Sequence, residues 1–242
     1  MLLEAKNVSK AFGSFRAVAG ADLAVEAGEI IGLIGPNGAG KSTFFNCIAG
    51  DMPVTGGTIM FDGHDLTRAA PETRSRAGIG RTFQVPATFE DMTVLDNVMV
   101  GAFLRHPHRK DAREHARAIL ELTGLASLAN SWSRTLGTPG RKRLEIARVL
   151  ATNPRLMLLD ESLAGLTPTE LIEAIALVRK IHDTGVTIVI VEHIMEVIMT
   201  LTKRVLVFNQ GHVIASGKPE DVVKDEGVIE AYLGRGKHTK RG

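Results

Sequence analysis

A glycine-rich segment in the first quarter of the chain carries the residue types that bind phosphate. Four residues separate Gly35 from Gly40, and Lys41 and Ser42 follow directly. Glycines let the backbone curl so that successive N–H groups face phosphate oxygens, and the N-terminus of a following helix attracts negative charge. Lysine supplies a cation for the β- and γ-phosphates, and serine supplies a hydroxyl for Mg²⁺. The spacing predicts a nucleotide site formed by Gly35, Pro36, Asn37, Gly38, Ala39, Gly40, Lys41, Ser42 and Thr43.

Two adjacent carboxylates follow an apolar run at Leu156 to Leu159. Such a run is typical of a buried strand, and Asp160 and Glu161 would then lie at its carboxyl end. Because adjacent strand residues point in opposite directions, the two carboxylates can have different tasks. The pattern predicts that Asp160 faces Mg²⁺ and its waters, and that Glu161 faces an attacking water.

The elements around these residues alternate between strands and helices. Ile30 to Ile34 is a predicted strand that enters the glycine loop, and Phe44 to Ala49 has apolar residues suited to a helix behind it. A second unit follows, with strands at Leu156 to Asp160 and Val186 to Val191 and a helix at Thr169 to Asp183, whose start is marked by Thr167, Pro168 and Glu170. This order predicts an α/β protein with a parallel sheet.

The stretch from about residue 85 to residue 152 has a different pattern. Thr93 and Asp96 resemble a helix start, and Lys110 to Thr123 and Arg141 to Ala151 are amphipathic helix candidates. No strand-like run separates them. We therefore predict one domain, with a catalytic core at 1–84 and 153–234, an inserted helical subdomain at about 85–152, and a basic, frayed tail at 235–242. Within the core, Leu2 to Val8 and Ala21 to Val25 are predicted to be short β segments.

Composition narrows the possible classes of protein. The chain has 242 residues, of which 44% are hydrophobic, so it can bury a full core. Its one cysteine, Cys47, excludes an internal disulfide framework and is predicted to be a small buried hydrophobe. No apolar stretch approaches the roughly 20 residues needed to cross a bilayer, and the N-terminus has no signal-peptide pattern. The net charge of only +2 does not indicate binding to nucleic acid. These features predict a cytoplasmic protein that reaches a membrane only through a partner.

A phosphate loop alone leaves kinases, GTPases and motor ATPases open. Three sequence motifs together resemble those of the ABC transporter ATPases. They are Gly-Pro-Asn-Gly-Ala-Gly-Lys-Ser-Thr from Gly35, Arg-Thr-Phe-Gln from Arg81, and Glu192-His193 after a predicted strand. The resemblance extends from Leu3 to about Gly234. It implies a P-loop core with an N-terminal antiparallel β-subdomain, a helical subdomain, and hydrolysis of ATP with Mg²⁺.

The resemblance also implies roles for single residues. Phe12 would stack on adenine, with Val18 against the same face. Gln84 would sense Mg²⁺ and the γ-phosphate, and His193 would contact the γ-phosphate and orient the water. The implied catalytic set is Glu161, His193, Lys41 and Gln84, and the implied metal ligands are Ser42, Gln84 and Asp160.

One segment departs from the family pattern. Where relatives carry a Leu-Ser-Gly-Gly-Gln-like signature that covers the ATP of the opposite subunit, this chain has Leu136, Gly137, Thr138, Pro139 and Gly140, followed by the typical Arg-Leu-Glu-Ile-Ala-Arg from Arg143. Gly137 offers no hydroxyl, and Pro139 has no N–H to donate. Thr138 or Arg141 could compensate, and Thr167 stands where relatives often carry Asp or Asn. We therefore expect a dimer with a second ABC ATPase subunit, and the turn favours a heterodimer while a homodimer stays open.

Three segments resemble those of branched-chain amino acid importers: Arg81 to Gln84, Met92 to Val98, and the C-terminal ending from Gly217 through Gly234. The implied partners are transmembrane permease subunits and, indirectly, a substrate-binding protein, at the inner face of the cell membrane and without nucleic acid. ATPases of urea or amide importers and of lipopolysaccharide export remain alternatives. So do a soluble ABC ATPase of DNA repair or translation and a subunit that senses nucleotide without hydrolysing it.

Overall fold

The computed structural model describes residues 1–233, so the predicted basic tail at 235–242 lies outside the described residues. In this part of the chain the strands are β1 (Leu3–Phe12), β2 (Phe15–Val25), β3 (Ile30–Ile34), β4 (Gly56–Phe61), β5 (His64–Asp65), β6 (Ile79–Arg81), β7 (Leu156–Asp160), β8 (Thr187–Val191), β9 (Arg204–Asn209) and β10 (His212–Gly217). Its α-helices are α1 (Lys41–Ala49), α2 (Pro71–Ala77), α3 (Val94–Ala102), α4 (Arg109–Leu122), α5 (Thr138–Leu150), α6 (Pro168–Asp183), α7 (Met195–Leu201), α8 (Pro219–Val222) and α9 (Glu226–Leu233).

The larger sheet has six strands in the order β10-β9-β3-β8-β7-β6. All neighbouring pairs are parallel except β9 with β10. The carboxyl ends of β3, β8, β7 and β6 therefore meet at one edge, where ligands bind in open α/β sheets. The strands predicted at β3, β7 and β8 are confirmed, whereas β6, β9 and β10 were not predicted from the sequence.

Both faces of the strands β3, β7 and β8 are buried, which explains their continuous apolar runs. Leu156 and Leu158 pack into one core with α1, and Met157 and Leu159 pack into a second core with α6 and the helical segment. The free thiol of Cys47 lies in the first core, as predicted, and burial raises its pKa.

The smaller sheet is antiparallel, with the order β2-β1-β4-β5. The sequence identifies only parts of its first two strands, because the apolar alternation fades where their side chains become exposed. In the structure β1 and β2 continue to a tight hairpin in which Phe12 pairs with Phe15.

The segment between β6 and β7 is helical, as predicted. Thr93 caps α3 by accepting a hydrogen bond from the N–H of Asp96 at 3.0 Å, and α4 lies within one residue of its predicted bounds. The last helix, α5, starts at Thr138 rather than at the predicted Arg141, because Pro139 occupies a position in the first turn where no N–H is needed.

The start of α6 is also as predicted. Thr167 accepts a hydrogen bond from the N–H of Glu170 at 3.4 Å, and the carboxylate of Glu170 accepts one from the N–H of Thr167 at 2.8 Å. This capping box fixes the point at which the chain leaves the sheet edge and enters α6.

Candidate functional site

The glycine loop connects the carboxyl end of β3 to α1, and its lysine is held inside it. The Lys41 ammonium is buried and donates hydrogen bonds to the carbonyls of Gly35 at 2.7 Å and Pro36 at 3.1 Å. Burial lowers the pKa of Lys41, and the carboxylates of Glu161 and Asp160 oppose that shift. The loop therefore presents a cation whose charge is already balanced by two nearby acids.

Two glycines of the loop occupy places that no other residue fits. Gly35 has φ +146°, and a Cβ there would lie 2.1 Å from the carbonyl oxygen of Phe208. Gly40 has φ +103° and caps α1, and its Cβ would lie 2.3 Å from the carbonyl oxygen of Ala17. The backbone of the loop can curl so tightly only because these side chains are missing.

A cavity of about 700 Å³ opens beside the loop and collects residues from several elements. Its wall comprises Phe15, Ala17, Asn37, Gly38, Ala39, Gly40, Lys41, Ser42, Thr43, Gln84, Glu161 and His193. The structure thus brings the predicted loop residues together with the predicted glutamine, glutamate and histidine. Gly35 and Pro36 do not line the cavity, but their carbonyls accept hydrogen bonds from Lys41.

Asp160 ends β7 and is the buried carboxylate of the site. It is 5% exposed, its Oδ2 lies 3.4 Å from Nη2 of Arg81, and its Oδ1 is buried with no hydrogen-bond partner in residues 1–233. Burial raises the pKa of Asp160, while Arg81 and Lys41 act in the opposite direction. A buried carboxylate oxygen without a partner fits a Mg²⁺ site, since Mg²⁺ binds oxygen ligands through one or two carboxylates and keeps several waters.

Glu161 turns away from the strand with an uncommon backbone conformation. Its φ is +47°, and its N–H donates to the carbonyl of Val191 at 2.9 Å. Non-glycine residues with positive φ often mark functional sites. Gln84 Nε2 donates to Glu161 Oε2 at 2.8 Å, so these two side chains form one unit at the cavity wall.

His193 follows β8 and lines the same cavity, but the preceding residue has a separate role that the sequence did not reveal. Glu192 is buried, and its Oε1 accepts a hydrogen bond from the N–H of Leu163 at 2.9 Å. On the other side, Lys142 Nζ donates to the carbonyl of Ala164 at 2.6 Å. The loop after Glu161 is therefore held both by the segment of His193 and by α5.

The aromatic wall of the cavity differs from the prediction. Phe12 is 49% exposed but does not line the cavity, and Lys10 lies over its ring at 5.1 Å. Val18 is fully buried and does not line the cavity, so its contact with a base stays a prediction. Phe15, which is 64% exposed, and Ala17 line the cavity instead. The alternation of β2 places positions 15 and 17 on one face and position 18 on the other, but only the fold shows which face borders the cavity.

The unusual turn at Leu136 to Gly140 lies away from this cavity. Gly137 is the N-cap of α5 and forms no side-chain cap. Arg141 donates to the carbonyls of Leu136 at 3.0 Å and Arg134 at 3.1 Å, and to the carboxylate of Glu90 at 3.1 Å. Because its guanidinium is already engaged in its own chain, Arg141 does not replace the missing serine hydroxyl in this conformation.

A glycine loop between strand and helix, with a carboxylate pair at the end of another parallel strand of the same sheet, defines the class of P-loop nucleotide hydrolases. Within that class, residues 18–164 match the family described as "ABC transporter", and residues 212–238 match "Branched-chain amino acid ATP-binding cassette transporter". The chain belongs to the ABC transporter ATP-binding family.

Curated relatives match over almost the full length of both chains. The chain is 37% identical to the branched-chain amino acid transport ATP-binding protein BraF of Pseudomonas aeruginosa, covering 96% of this chain and 98% of BraF. It is 39% identical to LivG of Escherichia coli, with the same coverages. It is 36% identical to the lipopolysaccharide export protein LptB of Escherichia coli, covering 96% and 97%.

Solved structures agree with this assignment. A nucleotide-free ATP-binding cassette from an ABC transporter superposes with a TM-score of 0.89 at 32% identity, covering 96% of this chain and 99% of that one. A dimeric post-hydrolysis cassette, MJ0796 with ADP and Pi, superposes with a TM-score of 0.81 at 26% identity, covering 90% and 99%. The predicted fold is confirmed, and the chain is an ATP-hydrolysing ABC subunit of a family whose cassettes dimerise and work with permeases. Across residues 1–233, no helix is both long and apolar enough to cross a membrane.

Proposed function

We propose that this ATPase drives the uptake of branched-chain or related amino acids across the cell membrane. The observation that carries the proposal is the match of residues 212–238 to the branched-chain amino acid cassette family, because none of the described residues of that stretch, 212–233, lines the ATP cavity. LivG and BraF support it. The 36% identity to LptB keeps lipopolysaccharide export as a second candidate.

Reconstitution distinguishes these cargoes. The chain is co-purified with its permease and any second cassette, inserted into vesicles, and supplied with ATP and the cognate binding protein. Uptake of labelled leucine that stops with Lys41→Ala supports the proposal. Movement of lipopolysaccharide without leucine uptake would support a role in lipopolysaccharide export. Co-purification of the chain with nucleic acid or ribosomes, and not with a permease, would contradict a role in transport.

The chemistry we propose is an in-line attack of water on the γ-phosphate of ATP. Lys41 would exchange its contacts with Gly35 and Pro36 for contacts with the β- and γ-phosphates, and the loop N–H groups would bind the remaining oxygens. Glu161, with Gln84 and His193 beside it, would orient the water and accept its proton. Asp160, Ser42 and Gln84 would hold Mg²⁺, whose charge would offset that of the phosphates. Phe15, with Phe12 at the hairpin tip, is the candidate for stacking on adenine.

We also propose that the working dimer contains two different cassettes. The uncapped Gly137 and the engaged Arg141 support this, because the turn they form would offer the partner's ATP fewer donors than a serine-containing signature. Turnover by this chain alone is compared with turnover after mixing with a second cassette. High activity alone that does not change on mixing would contradict a heterodimer.

The groove where the core meets the helical segment is our candidate docking surface for the permease. It has a volume of about 410 Å³ and is lined by residues that include Phe83, Val100, Leu104 and Arg148. Docking there would put the chain at the inner face of the membrane and would let the proposed helical subdomain at 85–152 pass motion from Gln84 to the permease. A cysteine placed at Val100 should cross-link to the permease, whereas one at exposed Ile172 should not.

A further inference from the structure

A buried carboxylate in the middle of α5 has no role in the chemistry described above. Glu145 is 4% exposed, although glutamate is almost never fully buried unless it is paired. Its Oε1 accepts a hydrogen bond from the backbone N–H of Phe83 at 3.0 Å, and the N–H of Ala87 also donates to the carboxylate. Burial raises the pKa of Glu145, and these two donors act against that shift.

Arg148 lies one turn further along α5 and contacts the same loop. Its Nη1 donates to the carbonyl of Ala87, and its guanidinium lies over the ring of Phe89 at 4.3 Å. Attraction between Arg148 and Glu145 also favours the charged form of both groups. The loop from Phe83 to Phe89 is therefore attached to one face of α5 by backbone and aromatic contacts.

This attachment leads directly to the catalytic cavity. Phe83 precedes Gln84, and Gln84 donates to Glu161 at 2.8 Å. Glu145 on α5 is thus connected to Glu161, the general base we propose, through the backbone at Phe83 and the side chain of Gln84. The same helix starts at Thr138, with Gly137 as its N-cap, in the turn proposed to cover the partner's ATP.

We propose that Glu145 is a positioning residue: it fixes the backbone at Phe83 so that Gln84 reaches Glu161, and it links the orientation of α5 to this chain's own ATP site. The inference rests on the roles proposed for Gln84 and Glu161. An ionised acceptor suits this task, because hydrogen bonds to a charged group are about twice as strong as those between neutral groups. Interior packing alone would be served better by an apolar side chain.

Amide exchange tests the contact without any need for turnover. In Glu145→Ala, peptides covering residues 83–89 should exchange about tenfold faster, because the acceptor for Phe83 is lost. Glu145→Gln retains an oxygen acceptor and should keep most of the protection even if the alanine variant folds poorly. Glu173→Ala is the matched control. Glu173 lies on α6, and its removal breaks an exposed ion pair with Arg143, which is on α5 like Glu145. Unchanged exchange in folded Glu145→Ala would overturn the proposal.

A double-mutant cycle tests the functional link in the assembled transporter. Glu145→Ala should lower kcat by about tenfold to a hundredfold while KM for ATP stays within about twofold, because misplacement of a catalytic group slows chemistry more than binding. Glu145→Gln should recover most of kcat. The Glu145→Ala and Gln84→Ala double variant should be no slower than Gln84→Ala alone.

The possible failures are distinguishable. If the two substitutions are additive, Glu145 does not act through Gln84, and the positioning role is overturned while the proposed site stands. If Gln84→Ala leaves kcat unchanged, the role of Gln84 in the proposed function fails, and with it the positioning role of Glu145.

Discussion

At the scale of single residues, the site is a set of mutually balanced charges. Lys41 is buried beside two carboxylates, and Glu161 is engaged by Gln84. Asp160 keeps one oxygen without a partner in the described chain. Each group is therefore placed before any ligand arrives, as expected for catalysis that depends on positioning and electrostatics.

Replacement of Glu161 by Gln should separate binding from hydrolysis. The amide keeps the shape of the side chain but cannot accept a proton from water, so turnover should fall by about a hundredfold or more. Affinity for ATP should change by less than about threefold. Phosphate release and equilibrium ATP titration measure the two effects, with Glu173→Gln as an exposed control. Hydrolysis at the normal rate would rule out Glu161 as the general base.

Phe15 and Phe12 can be compared directly, because they pair across one hairpin. Phe15 lines the cavity and Phe12 does not, so Phe15→Ala should weaken ATP binding by about 1 kcal/mol or more, a loss of roughly fivefold. Phe12→Ala should have a smaller effect. Calorimetric titration of both variants is the measurement. A larger loss for Phe12→Ala would mean that the hairpin rearranges around adenine.

At the scale of elements, helix starts decide where the functional loops begin. The capping box of α6 offers a test of stability that leaves the chemistry intact. Thr167→Ala removes the acceptor for the Glu170 N–H and should lower the free energy of unfolding by about 1 kcal/mol. ATP affinity should not change. Urea denaturation measures the loss, with Thr169→Ala as a control within the first turn. An unchanged midpoint would mean that the cap adds nothing to global stability.

The start of α5 permits the opposite experiment, in which a missing group is restored. Gly137→Ser places a hydroxyl at the N-cap, and since serine exceeds glycine there by only a few tenths of a kcal/mol, stability should hardly change. ATPase activity of this chain alone should nevertheless rise, because in the proposed dimer the hydroxyl would donate a hydrogen bond to the γ-phosphate of the ATP bound to the opposing subunit. Gly137→Ala is the control without a hydroxyl. If both variants behave like the unmodified chain, the serine is not what limits a homodimer.

At the scale of the whole molecule, the two ATP sites of the proposed heterodimer should be unequal. In that heterodimer this chain's own site would combine Lys41, Asp160, Glu161 and His193 with a signature from the partner, whereas the other site would depend on the turn at Gly137. Glu161→Gln in this chain should remove most of the turnover of the mixed dimer, by about tenfold or more. The matching change in the second cassette should have a smaller effect. Equal losses would contradict the asymmetry.

The sequence predicted the parts of the molecule whose signals are local. The phosphate loop could be predicted because its function needs a fixed spacing of Gly35, Gly40, Lys41 and Ser42. The strands β7 and β8 could be predicted because strands that are buried on both faces are continuously apolar. The cap at Thr167 was equally clear, since all its partners lie within one turn. The two edge strands β6 and β10 gave weak signals because they are short or only partly buried.

What only the tertiary structure decided is which distant residues meet. The sequence gives no reason to choose Phe15 over Phe12, because the choice depends on which hairpin face borders the cavity. It also does not indicate that Glu145 accepts a hydrogen bond from Phe83, or that Glu192 holds the loop at Leu163. Such contacts join residues from separate elements, and their partners become defined only when the strand order of the sheet brings those elements to one edge.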